Sequence, residues 1–268
     1  MKDVKAKILE NEKISADYYK MTLDAPGLAR SAAPGQFVQV RCGDGLDPLL
    51  RRPFSIHRIS GTGDRLSCIE ILYELVGKGT EILSRKQKGT CIDVLGPLGN
   101  GFILPLSAKR YPLSAILVAG GVGVAPLVFL AEELARKKIK AVALIGARTK
   151  KSVLCDKDFK DTGVEVHIAT DDGSRGYKGF VSGLLQKVLR TTNHESRKTV
   201  YACGPQPMLK RIAGICREKR LECQVSLEEE MACGFGACMG CAVKVKDQAG
   251  YKLACKDGPV FNAAEIAW

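Results

Sequence analysis

Ala115-Ile-Leu-Val-Ala-Gly-Gly-Val-Gly-Val-Ala-Pro126 holds the pattern that decides the fold. Residues 115–120 form an apolar run of the kind found in parallel strands buried on both faces. Gly120, Gly121 and Gly123 then allow a tight turn, and Pro126 falls in the first turn of a helix expected over 124–138. A glycine turn between strand and helix presents backbone N–H groups to a pyrophosphate at the helix N-terminus. The usual dinucleotide fingerprint is G-x-G-x-x-G, and here Pro126 replaces its last glycine. Taken alone, the turn is equally a tight structural bend; its strand and helix flanks supply the context the motif demands.

Reading outward toward the C-terminus, apolar strands are expected at 141–146, 165–170 and 199–204. They alternate with helical periods over 179–189 and 208–220. This alternation specifies a doubly wound α/β domain with a parallel sheet. Cys203-Gly204-Pro205, with Met208 just beyond, ends one of these strands, where open α/β sheets bind ligands. A lone cysteine in that place is by default a core thiol. Toward the N-terminus the texture changes near 105–112. Strand-like runs at 4–11, 37–42 and 66–76, separated by Gly, Pro and Asp turns, suggest a small antiparallel barrel, with helical period only near 80–86. The chain therefore reads as α/β plus all-β in three units: a barrel over 1–105, a nucleotide domain over 106–222 and a cysteine-bearing appendage over 223–268.

That appendage carries Cys233-Gly-Phe-Gly-Ala-Cys238-Met-Gly-Cys241, with Cys255 further on. C-x4-C-x2-C is the plant-type spacing of a [2Fe–2S] cluster. Gly234, Gly236 and Gly240 let the backbone wrap closely and aim N–H donors at sulfur. Zinc and free thiols are the alternatives; structural zinc sites favour two short C-x2-C-like pairs, and only Cys238 and Cys241 form one here. In the barrel region, Arg51-Arg52-Pro53-Phe54-Ser55-Ile56 offers an Arg for a phosphate and a Ser hydroxyl for a heterocycle. By itself it is also a solvated Arg pair before a turn. Leu72-Tyr73-Glu74 and Gly79-Thr80 follow at a spacing that can reach the same cleft.

The chain has 268 residues, 46% hydrophobic and 26% charged, which is ordinary for a globular protein with a sizeable core. Its net charge of +12 raises nucleic acid as a partner, but the basic residues are scattered and only 6% of residues are aromatic. Neither nucleic acid nor a membrane is an expected partner. Eleven cysteines, an odd number, behind a start with no apolar signal segment imply a cytoplasmic, disulfide-free protein. His57, His167 and His194 are too dispersed for a metal site. Glu228-Glu229-Glu230 reads as a solvated turn, and Cys42, Cys68, Cys91, Cys155, Cys216 and Cys223 as ordinary thiols.

In this order, Arg52-Pro-Phe-Ser55, Gly120-Gly-Val-Gly-Val-Ala-Pro126 and Cys203-Gly-Pro205 resemble the motifs of the ferredoxin–NADP reductase superfamily. With Ser226-Leu-Glu-Glu-Glu-Met-Ala-Cys233 through Cys241, and Val94-Leu-Gly-Pro-Leu-Gly-Asn-Gly-Phe102, the chain is similar to the electron-transfer subunits of dihydroorotate dehydrogenase B. The resemblance covers nearly the whole chain. It implies FAD in the barrel, lined by Arg52, Pro53, Phe54, Ser55, Leu72, Tyr73, Glu74, Gly79 and Thr80. It implies NAD at Gly120, Gly121, Gly123, Pro126, Cys203, Gly204 and Pro205, and a [2Fe–2S] cluster on Cys233, Cys238, Cys241 and Cys255. It also implies an FMN-containing catalytic subunit, in a heterotetramer of two of each chain, that oxidises dihydroorotate in pyrimidine biosynthesis. No acid–base residue for orotate chemistry is then expected in this chain. The alternative is a ferredoxin–NAD(P) reductase-type subunit of another iron–sulfur flavoprotein complex. Nucleotide choice stays open: an acid is expected about 20 residues past the glycine turn for NAD, yet Arg148 stands at that strand end, and Asp171 and Asp172 end the next.

Overall fold

The computed structural model describes residues 1–62, 65–104, 113–191, 197–246 and 250–268. The change of texture at 105–112, and with it the boundary expected at 105/106, lies outside the described residues. The N-terminal unit contains β1 (Lys2–Lys13), β2 (Tyr18–Asp24), α1 (Pro26–Ala29), β3 (Phe37–Val40), β4 (Arg52–Thr62), β5 (Arg65–Glu74), α2 (Lys78–Ser84) and β6 (Cys91–Leu98). The strands close into an antiparallel barrel in the order β1-β2-β5-β4-β3-β6. Strand periodicity explains the closure, since successive side chains alternate between faces. On β3, Val38 and Val40 enter the barrel core with Ile8, Met21, Ile56 and Val94. Phe37 points the other way and joins a core shared with the C-terminal unit.

The second unit contains β7 (Leu113–Gly120), a single 3-10 turn at Gly121–Gly123, α3 (Val124–Arg136), β8 (Lys140–Ala147), α4 (Asp156–Asp161), β9 (Glu165–Thr170), β10 (Tyr177–Lys178), α5 (Val181–Thr191), β11 (Arg197–Cys203), α6 (Gln206–Glu218) and β12 (Glu222–Ser226). Its strands are parallel, and β7 is buried on both faces. Ala115, Leu117 and Ala119 pack under α3 with Leu127 and Leu130, while Ile116 and Val118 pack with Leu185 on α5 and Leu209 and Ile212 on α6. Fully burying each such Leu or Ile is worth ~1.5–3 kcal/mol, which is why the strand reads as a continuous apolar run. Helix starts are set by local chemistry. Gly179 is in the left-handed region just before α5, and Pro205 caps α6 with Pro207 in its first turn.

The C-terminal unit has β13 (Ala242–Lys244), β14 (Tyr251–Leu253) and β15 (Val260–Asn262). It is stitched into the α/β domain, because β15 pairs antiparallel with β12 through Gln224–Asn262, Val225–Phe261 and Ser226–Val260. The sheet order is therefore β10-β9-β8-β7-β11-β12-β15. The barrel meets the α/β domain through Phe129 of α3, which is buried with Ile56 and Ile71 of the barrel, and through charged and polar contacts. Arg58 pairs with Glu132 at 2.5 Å and Asp158 at 3.2 Å. His57 Nδ1 lies 3.1 Å from the Ala125 carbonyl, at the start of α3. Among the described residues, no helix is long and apolar enough to cross a membrane.

Candidate cofactor-relay site

The order of the sheet places its switch point between β7 and β11, whose chains leave toward opposite sides. Ligands of open α/β sheets bind at the carboxyl ends of the strands at such a point. Gly120–Gly123 and Cys203–Pro205 both lie there, with Cys203 registered opposite Ala119. The two motifs are in contact. A Cβ on Gly123 would stand 2.3 Å from the Cys203 carbonyl oxygen, and one on Gly120 would stand 2.6 Å from Met208 Sδ. Gly204, at φ 150°, would place a Cβ 3.0 Å from the Gly120 nitrogen. These glycines exist for close packing between loops. Gly121 differs: its φ is 55° and open space surrounds its Cα. It is the glycine of the loop that a phosphate can approach. Pro126 is buried in the first turn of α3. Cys203 is fully buried, and burial pushes its thiol well above the ordinary range.

A cavity of about 300 Å³ opens between the barrel, the α3 loop and the C-terminal unit. It brings together Pro53, Phe54, Ser55, Leu72, Tyr73, Glu74 and Thr80 from the barrel, Val122 from the loop, Ala125 from the start of α3, Ser226 from the end of β12, and Glu228 and Met231 just beyond it. The volume lies at the lower end for ligand sites, and the mixture of apolar walls with a few polar groups is typical of them. Arg52 and Gly79 adjoin each other: a Cβ on Gly79 would stand 3.3 Å from Arg52 Nε. The Thr80 hydroxyl accepts from the Val76 and Gly77 N–H groups at 3.0 and 3.2 Å, which fixes the turn into α2. The Tyr73 ring itself turns into the barrel, stacked on Tyr19, and its phenol donates to Asn11 at 2.9 Å. Glu228 is open to the cavity yet crowded by protein. Burial first, and then Glu74, raise its carboxyl above the usual range. Glu228 and Glu230 are exposed, in keeping with the sequence reading as a solvated turn; that Glu228 also lines the cavity depends on the fold of β12 and β15.

The four cysteines of the C-terminal unit gather as two touching pairs. The Cys233 thiol neighbours that of Cys238, and the Cys255 thiol neighbours that of Cys241, whose Sγ accepts from the Cys255 N–H at 3.4 Å. Burial opposes ionisation of Cys233, but N–H groups of Phe235, Ala237 and Cys238 outweigh it and bring the thiol down to about 6. The Ala237 N–H stands 3.3 Å from its Sγ. Gly234, Gly236 and Met239 adopt positive φ to turn the loop around the sulfur. Cys241 and Cys255 are buried, and burial raises the Cys255 thiol to about 12. The segment after β6 holds this unit in place: Asn100 Nδ2 donates to the carbonyls of Lys256 and Asp257, both at 3.1 Å.

This arrangement discriminates between metals. Tetrahedral zinc, with Zn–S of about 2.3 Å, sets all four sulfurs about 3.8 Å apart. Among the described residues, the one group of three or more ligand atoms that all fall within 4.8 Å is His57, Cys155 and Asp158, so no three of the cluster cysteines converge on one point. Two irons taking two thiolates each match the two pairs, and the donors around Cys233 suit sulfur that carries negative charge. The His57 group is a structural junction: His57 Nδ1 holds the Ala125 carbonyl while its Nε2 has no partner among the described residues, Asp158 pairs with Arg58, and burial keeps the Cys155 thiol protonated. His167 pairs with Glu165 at 2.9 Å, and His194 lies outside the described residues. All eleven cysteines are free of disulfides.

Arg148, Asp171 and Asp172 share the carboxyl edge of β8 and β9, where the N–H groups of Asp171 and Asp172 donate to the carbonyls of Ala147 and Arg148. Asp172 is already engaged by the Ser174 hydroxyl and N–H at 2.6 and 2.9 Å, which lower its carboxyl. This edge therefore carries both signs of charge.

Residues 228–267 match the iron–sulfur cluster binding domain of dihydroorotate dehydrogenase B, and residues 117–214 match the oxidoreductase NAD-binding domain. A Desulforamulus reducens protein described as dihydroorotate dehydrogenase B (NAD(+)), electron transfer subunit, is 46% identical over 98% of this chain and 97% of its own length. A Geobacillus relative with the same description is 41% identical over 99% of both chains. Among solved structures, an NADH-dependent reduced ferredoxin–NADP oxidoreductase shows 32% identity and a TM-score of 0.83 over 99% of this chain and 90% of that one. A ferredoxin reductase of carbazole 1,9a-dioxygenase shares the fold at 20% identity, with a TM-score of 0.67 over 82% of this chain and 66% of that one.

Proposed function

This chain belongs to the family of electron-transfer subunits of dihydroorotate dehydrogenase B (NAD+), and on that footing we propose that it relays electrons from a dihydroorotate-oxidising partner subunit to NAD+. The cofactors are a [2Fe–2S] cluster, FAD and NAD, which together supply conversion between one-electron and two-electron transfer. The observation that carries the reading is the spatial sequence of sites. The cysteine pairs, the barrel cavity and the strand switch point adjoin one another through residues 226–231 and the loop at Gly120–Gly123.

The chain's own residues bind and orient. Cys233, Cys238, Cys241 and Cys255 would hold the iron. Arg52, Pro53, Phe54, Ser55, Leu72, Tyr73, Glu74, Gly79 and Thr80 would hold FAD, and Ser55 lines the cavity. Gly120, Gly121, Gly123, Pro126, Cys203, Gly204 and Pro205 would form the NAD loop, in which Gly121 meets the phosphates and the others set the packing. The Glu228 carboxyl keeps its proton to higher pH than an ordinary glutamate, so it can hold a proton at the cavity wall. These assignments divide the chain into a barrel over 1–105, a nucleotide domain over 106–222 and a cluster unit over 223–268, with β15 returning to the nucleotide sheet.

The partner we propose is a catalytic subunit with FMN, two of each chain forming the complex in the cytoplasm, in the synthesis of pyrimidines. It docks over the cluster loop, where Phe235 and Met239 are exposed at 48% and 61% between the cysteines. A second reading, a ferredoxin–NADP reductase subunit, draws on the likeness to the bifurcating oxidoreductase, but 32% identity there falls below the 46% and 41% of the dihydroorotate relatives. The test is composition: the purified chain should carry one FAD and two irons, and show a one-electron EPR signal on reduction. A zinc-loaded protein without flavin would overturn the reading.

A further inference from the structure

Gln39 carries a buried amide for which the described residues supply no partner. The residue is 0% exposed, and among the described residues neither Nε2 nor Oε1 has a hydrogen-bond partner. Leaving such a group unsatisfied costs about 1–3 kcal/mol, so native proteins rarely do so without a role for it. Its position indicates the role. Gln39 lies on β3 between Val38 and Val40, which face the barrel core, so its own side chain leaves the barrel on the face of Phe37. On β4 its partner is Pro53 of the flavin motif. At its far end the amide presses against the cluster loop: a Cβ on Gly234 would stand 2.4 Å from Nε2 and 2.6 Å from Cγ. Gly234 follows Cys233 directly and adopts φ 79°. The loop thus takes the shape that admits this side chain, and the side chain ends in a donor beside the first iron ligand.

We propose that Gln39 is a positioning residue of the relay, whose amide nitrogen donates a hydrogen bond to sulfur at the Cys233 side of the cluster. The inference rests on the assignment of the cluster to these cysteines. Sulfur in such a cluster is an acceptor, so the nitrogen of the carboxamide, and not its oxygen, faces it. Hydrogen bonds to cluster sulfur stabilise the more negative, reduced state and so set the reduction potential. Gln39 is also anchored on the strand paired with the flavin motif, so one side chain ties the spacing of cluster and flavin to the barrel wall.

The experiment compares the full-length parent with Gln39→Met, which keeps the volume and removes the donor. In the cofactor-free chains, Gln39→Met should unfold at the same temperature or higher, since no protein partner is lost. In the loaded chains, an EPR-monitored redox titration should show the cluster harder to reduce. The expected shift in the oxidised-to-reduced equilibrium is about fivefold to tenfold, tenfold being 59 mV for one electron. A variant that folds without cofactors yet fails to retain iron also supports the contact. An unchanged midpoint, or a cofactor-free variant markedly less stable than the parent, overturns it. The parent's own EPR signal tests the cluster assignment separately, because its absence would defeat that assignment before any variant is compared.

Discussion

Replacing Gly123 with Ala isolates one contact of the nucleotide loop. The residue has φ −60° and ψ −7°, a conformation alanine adopts freely, so backbone strain plays no part. Removing the unfolded-state freedom of glycine would by itself stabilise the protein by ~0.4–1 kcal/mol. Against this, the new methyl would lie 2.3 Å from the Cys203 carbonyl oxygen, 2.5 Å from its carbon and 2.7 Å from the Gly204 nitrogen. All three are backbone atoms at the end of a central strand, and none can rotate aside. Relief requires β11 and the loop to separate by roughly an ångström, an overpacking of the kind that costs about 1–3 kcal/mol or more. The clash wins, and the net loss is about 1–2 kcal/mol. At the scale of a 150–250-residue domain, where 1 kcal/mol shifts Tm by about 2–4 °C, the variant should melt about 2–8 °C below the parent. Differential scanning calorimetry of the cofactor-free chains measures this directly. A Tm equal to or above the parent's would refute the view that these glycines serve packing between the two motifs.

Gly121→Ala should behave differently. It pays about 1–2 kcal/mol of left-handed strain but meets no neighbour, so the larger effect should be on nucleotide affinity, read as a raised KM for NADH with an artificial electron acceptor; an unchanged KM would remove Gly121 from the phosphate site. Cys238→Ser should abolish the reduced-state EPR signal and lower iron content while FAD is kept, whereas Cys91→Ser, an exposed thiol on the barrel, should leave both unchanged. His57 gives a pH dependence. Burial lowers its pKa to about 4, below the unfolded value of about 6.5, so its contribution is complete above that value and is lost as pH falls from about 6.5 to 4, up to ~3 kcal/mol. Thermal melts across this range should show a steeper acid loss for the parent than for His57→Gln; parallel curves would show that the imidazole is not held neutral.

Much of the fold was legible because single elements carried it. β7 is buried on both faces, so its apolar run needed no partner to be recognised, and the pairing of Gly120–Gly123 with Cys203–Pro205 follows from strand ends alone. The cysteine spacing likewise singled out four residues, Cys233, Cys238, Cys241 and Cys255, which the fold gathers as two pairs. What was not legible depends on contacts distant in sequence. β15 is three residues long and exists through its pairing with β12, so no local pattern announces it. Gln39 sits in Phe37-Val-Gln-Val, an alternation in which a polar residue reads as solvated; its burial is imposed by the Gly234 loop. Tyr73 borders the cavity beside the barrel, but its phenol is claimed by Asn11 inside the barrel, which only the register of the closed sheet reveals. Glu228 is an exposed charge, as its sequence suggests, but the cavity it also lines is assembled from all three units and has no local signal.

The central claim is that this chain connects dihydroorotate oxidation to NAD+. The most direct measurement mixes the cofactor-loaded chain with a dihydroorotate dehydrogenase catalytic subunit from the same source and follows NADH formation at 340 nm on addition of dihydroorotate. NADH should form with both chains present, with neither alone, and not with the Cys238→Ser variant. A mixture that forms no NADH, while this chain alone reduces ferredoxin with NADPH, would contradict the account.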